Sequence, residues 1–187
     1  SPQLMQYVAD GKIKVVYHTI SILDRMSSTD YSSRSANAAA AVATSAPDSF
    51  QVFHAALFLR QPPENGDGLP DSELIDLAAS SGAPRDAIKD ALASKKYADW
   101  VTQMTKEFEA KGFRGTPTIL VNGVQFKEYT DPAALKTAID KAISVRRDRA
   151  GSADHRGRRL RGTPSGAPGV AGRGARSLAF GRAAAGH

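Results

Sequence analysis

Gly115-Thr116-Pro117-Thr118-Ile119-Leu120-Val121-Asn122-Gly123 puts a proline at the head of an apolar run and an Asn-Gly pair at its end. Proline gives no N–H to a β-ladder and sits within sheets at the first residue of a strand, the position Pro117 holds. The X-Pro bond is also the one in which the cis isomer is cheap, so a Thr-Pro turn leading directly into a strand is a site for one. Asn122-Gly123 supplies the two positive φ values of a type I′ turn, and Val124-Gln125-Phe126-Lys127 follows it. A β-hairpin is therefore expected from Thr118 to Lys127.

Upstream, the run Ile13-Lys14-Val15-Val16-Tyr17-His18-Thr19-Ile20 is β-branched, aromatic and nearly continuous in apolar character, which predicts a strand covered on both faces in a mostly parallel sheet. Before it, Leu4, Met5 and Val8 mark a short helix that Asp10-Gly11 ends. Helical spacing dominates the sequence between these strand signals. One helix is expected from about Ser33 through Ala41, and a second after Pro47-Asp48, with Asp48 as its cap and Phe50, Phe53, Leu57 and Phe58 buried on one side.

Gln61 to Leu69, rich in Pro, Gly and Asn, reads as a loop. Asp71 is expected to cap a helix carrying Leu74, Leu77 and Ala78, and Pro84 to begin another with Ile88 and Leu92. Tyr97, Val101, Met104 and Phe108 line the next helix, which Gly112 stops; Trp100, Met104 and Phe108 read most simply as core. A last helix starts at Asp131-Pro132 and carries Leu135, Ile139 and Ile143. The order is helix, strand, a long helical block, hairpin and helix.

Charge divides the chain at about residue 143. The first part carries every lysine, with acids slightly in excess of bases, and the remainder has ten arginines against two acids. The net charge of +6 thus belongs to the C-terminal segment. Nine of the 16 glycines fall there, and with Phe180 as its single aromatic and no apolar periodicity it is expected to be a disordered tail over residues 144–187. No stretch reaches the roughly 18 apolar residues of a membrane span, and the sequence opens with no signal-peptide or anchor pattern. The absence of cysteine excludes disulfides, thiolate metal sites and thiol nucleophiles.

Residues 1–143 resemble DsbA-like thioredoxin-fold disulfide oxidoreductases. The resemblance rests on Gly11-Lys12-Ile13 into the first strand, Ser35-Ala36-Asn37-Ala38-Ala39, Phe53-His54 with Leu57-Phe58, Gly115-Thr116-Pro117-Thr118, and Val121-Asn122-Gly123. It implies an α/β thioredoxin-like domain over residues 1–143 with a helical insertion at about 30–112. In that family a first strand and a Cys-x-x-Cys motif precede the point at which this sequence begins, so the expected domain is N-terminally truncated and lacks its first strand. That strand would pair with both the strand around Val15 and the one around Ile119, so the isolated chain is expected to be poorly folded or dependent on a partner strand.

The resemblance also implies that Gly115, Thr116 and Pro117 form the substrate-facing loop. Backbone before the proline pairs with an extended or unfolded protein substrate, outside the cytoplasm, without a small-molecule cofactor. The exchange chemistry needs a thiolate, which neither Ser nor His replaces, so no catalytic residue is assigned and the chain as written is expected to be redox-inactive. The runner-up is a non-catalytic peptide-binding module using the same loop.

Other residues offer weaker sites. His18 on a strand and His54 beside Phe53 fit packed or half-exposed positions better than ligands, and no spacing among the histidines marks a metal site. Glu107 with Glu109, and Asp86 with Asp90, fit solvated helix faces. Arg146, Arg147, Arg149 and Arg156 to Arg161 could neutralise nucleic-acid phosphates. Aromatics for base stacking are missing there, and arginine without lysine among Gly, Ala and Pro also resembles out-of-frame translation of a GC-rich gene.

Overall fold

The computed structural model describes residues 2–158. Its elements run α1 (Pro2–Ala9), α2 (Tyr31–Ser45), α3 (Phe50–Leu59), α4 (Asp71–Ser80), α5 (Arg85–Ala93), α6 (Ala98–Ala110), β1 (Ile119–Val121), β2 (Val124–Phe126) and α7 (Pro132–Arg158). Residues Ser1–Ile143 make one compact unit, and a second begins at Ser144.

Helix α2 is the axis of the helical block. Ala36 to Val42 are all buried along it, and the short alanine side chains let neighbouring helices approach closely. Phe53 of α3, Leu74 and Ala78 of α4, and Ile88, Ala91 and Leu92 of α5 close around it into one core. Asn37 is the buried polar residue of this core, and its amide is satisfied at both ends. Its Nδ2 donates to the carbonyl of Ala91 at 2.8 Å, and its Oδ1 accepts from the N–H of Tyr97 at 2.8 Å. One side chain thereby ties the end of α5 to the start of α6, where helical bonds run out.

The loop 61–70 is fastened from α2. Arg34 donates through Nε to the carbonyl of Thr29, through Nη1 to the carbonyl of Leu69 and to Asp71, and through Nη2 to the Thr29 hydroxyl and the carbonyl of Asp67. All five guanidinium N–H groups are thus engaged. Gly68 (φ +69°) lies against the Tyr31 ring so closely that a Cβ would overlap it.

The hairpin and the last helix form as their sequence signals require. Asn122 and Gly123 have φ of 50° and 83°, and β1 pairs antiparallel with β2 in the register Ile119 to Phe126 and Val121 to Val124. Asp131 caps α7, its Oδ1 accepting from the N–H groups of Ala133 (2.8 Å) and Ala134 (3.1 Å). Ile139 of α7 is buried, and Asp140 accepts the Tyr7 hydroxyl of α1 at 2.5 Å and pairs with Lys136 at 2.6 Å.

Several expectations need correction. Residues 13–20 form no strand; the sheet among the described residues is the two-stranded hairpin. A strand exists only through a neighbour, and among the described residues none lies beside this run. Its side chains still alternate, with Ile13, Val15, Tyr17 and Thr19 half-buried and Lys14, Val16 and His18 exposed, so one face is covered rather than two. Asp48 is not a cap: it sits within a 3₁₀ turn, Pro47–Ser49, and α3 begins one residue beyond that turn with no side-chain cap. Asp71 does not cap α4 either, because its carboxylate is taken by Arg34.

Phe58 is largely exposed, since it lies off the Phe50, Phe53 and Leu57 stripe and only stacks on His54. Trp100 is exposed for the same reason, one position away from Val101. Helix α7 passes Ile143 and reaches Arg158; no proline follows Pro132 within it, and Gly151 and Gly157 are accommodated in it. Of the tail expected over 144–187, residues 159–187 lie outside the described residues, as do Arg159 and Arg161 of the arginine cluster.

Candidate functional site

The candidate site is built by the end of α6 and the start of β1. Gly112, at φ +80°, releases the chain from α6. Phe113 turns back on that helix, with its N–H bonded to the Phe108 carbonyl at 3.3 Å and its ring 5.4 Å from that of Phe108. Arg114 follows, and its Nη1 donates to the Glu109 carbonyl at 3.4 Å. These contacts anchor the near end of the loop to a helix whose Val101 is fully buried.

Gly115, Thr116 and Pro117 then form an exposed bend. The Thr116–Pro117 peptide bond is cis. Thr118 closes the bend from the far side, its hydroxyl donating to the Gly115 carbonyl at 2.6 Å. Among the described residues, neither the N–H nor the C=O of Thr116 has a hydrogen-bond partner. Two anchors therefore hold a short stretch of main chain out to solvent with its polar groups unused. The strand that follows is open as well, since β1 pairs with β2 along one edge and with no strand along the other among the described residues.

The three residues singled out in the sequence are thus contiguous and exposed. What sequence reasoning missed is their support: the Phe113 ring on Phe108 and the Thr118 hydroxyl. A phenylalanine just past the α6 stop and a threonine just after the proline were the signals available.

Other candidates resolve into structural roles. His54 sits among rings, 4.8 Å from Tyr17, 5.7 Å from Phe50 and 5.0 Å from Phe58, and burial there pushes its pKa down. His18 is exposed. Among the described residues, no group of three or more His, Asp or Glu could hold a metal ion. The shallow cleft lined by Thr29, Arg34, Asp67 and Asp71 is no anion site, because the Arg34 donors are all engaged.

The carboxyl of Asp140 is held low by its bond from Lys136 and then by that from Tyr7, and the Asp10 carboxyl is lowered first by Lys12 and then by Gln6. These are surface pairings. Glu107 accepts from Gln103 one turn earlier on α6, and Asp86 and Asp90 are exposed. Among the described residues, no helix is long and apolar enough to cross a membrane.

Comparison with known proteins gives this geometry a context. The model of a family described as Thioredoxin matches residues 1–141. Disulfide bond formation protein D of Bacillus subtilis is 31% identical over 98 residues, which are 52% of this chain and 44% of that protein. Serine/threonine-protein kinase PknE of Mycobacterium tuberculosis is 36% identical over 142 residues, covering 71% of this chain and 25% of the kinase. The chain therefore spans less than half the length of these curated relatives.

Among solved structures, oxidised DsbA of M. tuberculosis superposes with a TM-score of 0.65 at 34% identity, covering 76% of this chain and 71% of that one. Reduced DsbG of M. tuberculosis gives 0.65 at 35% identity, covering 76% and 67%.

Proposed function

The chain belongs to the Thioredoxin family and has the fold of its DsbA-like thiol-disulfide oxidoreductases, and from that premise we propose that it is the substrate-holding part of such a protein, acting outside the cytoplasm. An extended protein segment lies against Thr116 and forms main-chain hydrogen bonds with its free N–H and C=O, a strand-addition contact that asks little of the substrate's sequence. Gly115 leaves room for that approach, and Pro117 directs the chain away into β1. The observation that carries the reading is the exposed bend at Thr116 with its backbone groups unpartnered and both flanks anchored.

Binding is as far as these residues take the chemistry. Disulfide exchange proceeds by attack of a thiolate on a disulfide sulfur, with a mixed disulfide between enzyme and substrate. The 187 residues contain no cysteine, and no hydroxyl or imidazole of the chain can form that sulfur–sulfur bond. Where a longer gene product supplies a Cys-x-x-Cys pair, Thr116 and Pro117 orient the substrate beside it. The complete absence of sulfur nucleophiles favours a second reading, a peptide-binding module without redox chemistry.

Fluorescence anisotropy of a labelled, permanently unfolded polypeptide tests the holding role. Thr116→Ala retains the affinity of the parent chain because the main chain makes the contact. Thr116→Pro, which removes the N–H, weakens it severalfold. Equal affinity in the parent and Thr116→Pro chains would sink the proposal, and oxidation of a dithiol peptide by the cysteine-free chain would sink the statement about chemistry.

A further inference from the structure

The strongest concentration of charge in the molecule lies in sequence that the Thr116 bend does not use. Helix α7 enters the second compact unit at Ser144 and continues through Arg146, Arg147, Arg149, Arg156 and Arg158. Over residues 144–187, ten arginines stand against Asp148 and Asp154, a net charge of +8, whereas residues 1–143 carry a slight acidic excess. Two carboxylates cannot neutralise ten guanidinium groups. Arg146, at the start of the segment, is exposed. An excess of one sign on this scale calls for a partner of the opposite sign.

The use of arginine without lysine narrows the chemistry of that partner. A guanidinium presents paired N–H donors that match two oxygens of a phosphate, where lysine offers only a point charge. We propose that residues 144–187 bind the surface of a membrane containing anionic phospholipids, with the arginines paired to headgroup phosphates. The contact lies on the bilayer and does not span it.

The apolar residues of the segment favour lipid over nucleic acid. Leu178 and Phe180 stand between Arg176 and Arg182, and a lipid interface takes up a cation and a neighbouring apolar side chain together. A duplex rewards the cations alone, and stacking on unpaired bases asks for more than one aromatic. From Ser144 to Arg158 the apolar residues are Val145 and two alanines, so charge rather than insertion carries that part of the contact. A chain acting outside the cytoplasm, as proposed above, also meets lipid rather than nucleic acid.

Co-sedimentation of the full chain with vesicles tests this. The parent chain binds vesicles containing phosphatidylglycerol and not vesicles of phosphatidylcholine alone, and binding falls as salt is raised. Inorganic phosphate at the same phosphate concentration does not displace it. Arg156→Gln, Arg158→Gln, Arg159→Gln and Arg161→Gln together weaken binding about tenfold or more. Leu178→Ser with Phe180→Ser weakens vesicle binding severalfold and leaves binding to duplex DNA unchanged. Thr116→Pro binds vesicles like the parent, so this proposal and the substrate-holding one fail separately. The salt dependence of the parent chain stands on its own if the four-arginine variant does not fold. A parent chain that ignores anionic vesicles overturns the proposal, as does a folded four-arginine variant that binds them unchanged. Tighter binding to duplex DNA than to vesicles at equal phosphate overturns it in favour of a nucleic acid.

Discussion

The helical block from Tyr31 to Ala110 and the two β-forming stretches, residues 13–20 and 119–126, are drawn from comparably apolar sequence, yet they reach different degrees of completion. Each helix satisfies its own backbone and needs neighbours only for its apolar side, and α2 to α5 find those neighbours within 63 residues of chain. A strand needs a neighbour for its backbone as well. The hairpin finds one across a two-residue turn, whereas residues 13–20 find none among the described residues. The difference teaches that this chain's core lies in the helices, while its β structure is completed among the described residues only in the hairpin.

That division can be broken most sharply at Phe53, which is fully buried at the centre of the block. Phe53→Ala is expected to cost about 3–5 kcal/mol in urea or thermal unfolding, through lost burial and the cavity left behind. A loss under about 1 kcal/mol would mean that the block is not the stable half. Next comes Asn37, whose truncation leaves the Ala91 carbonyl and Tyr97 N–H without their partner. Asn37→Ala should cost about 1–3 kcal/mol.

His54 sharpens the comparison where the helical block meets residues 13–20. Burial among Tyr17, Phe50 and Phe58 lowers its folded-state pKa, so the unfolded chain takes up the proton first. The stability associated with neutral His54 is therefore full above about pH 6.5 and is lost as pH falls below that value towards the folded pKa. Unfolding midpoints measured from pH 7 down to 5 should fall in the parent chain and fall less steeply in His54→Phe. The lowered carboxyls of Asp10 and Asp140 act in a separate, more acidic window, since their stabilising contribution is lost only as pH drops below the ordinary carboxylate range.

The smallest effect belongs to the hairpin. Leu120 is exposed on β1, and Leu120→Thr should change stability by no more than about 0.5 kcal/mol. A larger loss in that variant would mean that the strand is packed in solution and that the two regions are more alike than their contacts indicate.

What the sequence made legible follows the same line. Helices and turns are local, so the Asp131-Pro132 start of α7 and the Asn122-Gly123 turn were readable from neighbouring residues, and both took the expected geometry. The bend at Gly115 to Pro117 ahead of β1 was readable because proline restricts where a strand can begin, whereas a substrate-holding role for it came only from the family resemblance. Pairings between distant residues were not. Nothing near Arg34 announces that its guanidinium reaches Leu69 and Asp71, and for that reason Asp71 was misread as a cap. The strand expected at residues 13–20 failed on the same ground, because apolar alternation reports which face is covered and says nothing about whether a ladder partner lies alongside.

The Arg34 fastening has a mechanical consequence. A connection as rich in glycine and proline as residues 61–70 would ordinarily absorb displacement, letting the helices on either side drift independently. Riveted to the first turn of α2 and, through Asp71, to the first turn of α4, it transmits displacement instead. A load applied to this exposed segment is felt at once in the alanine spine of the block, and lysine, with no planar fork, could not replace the rivet.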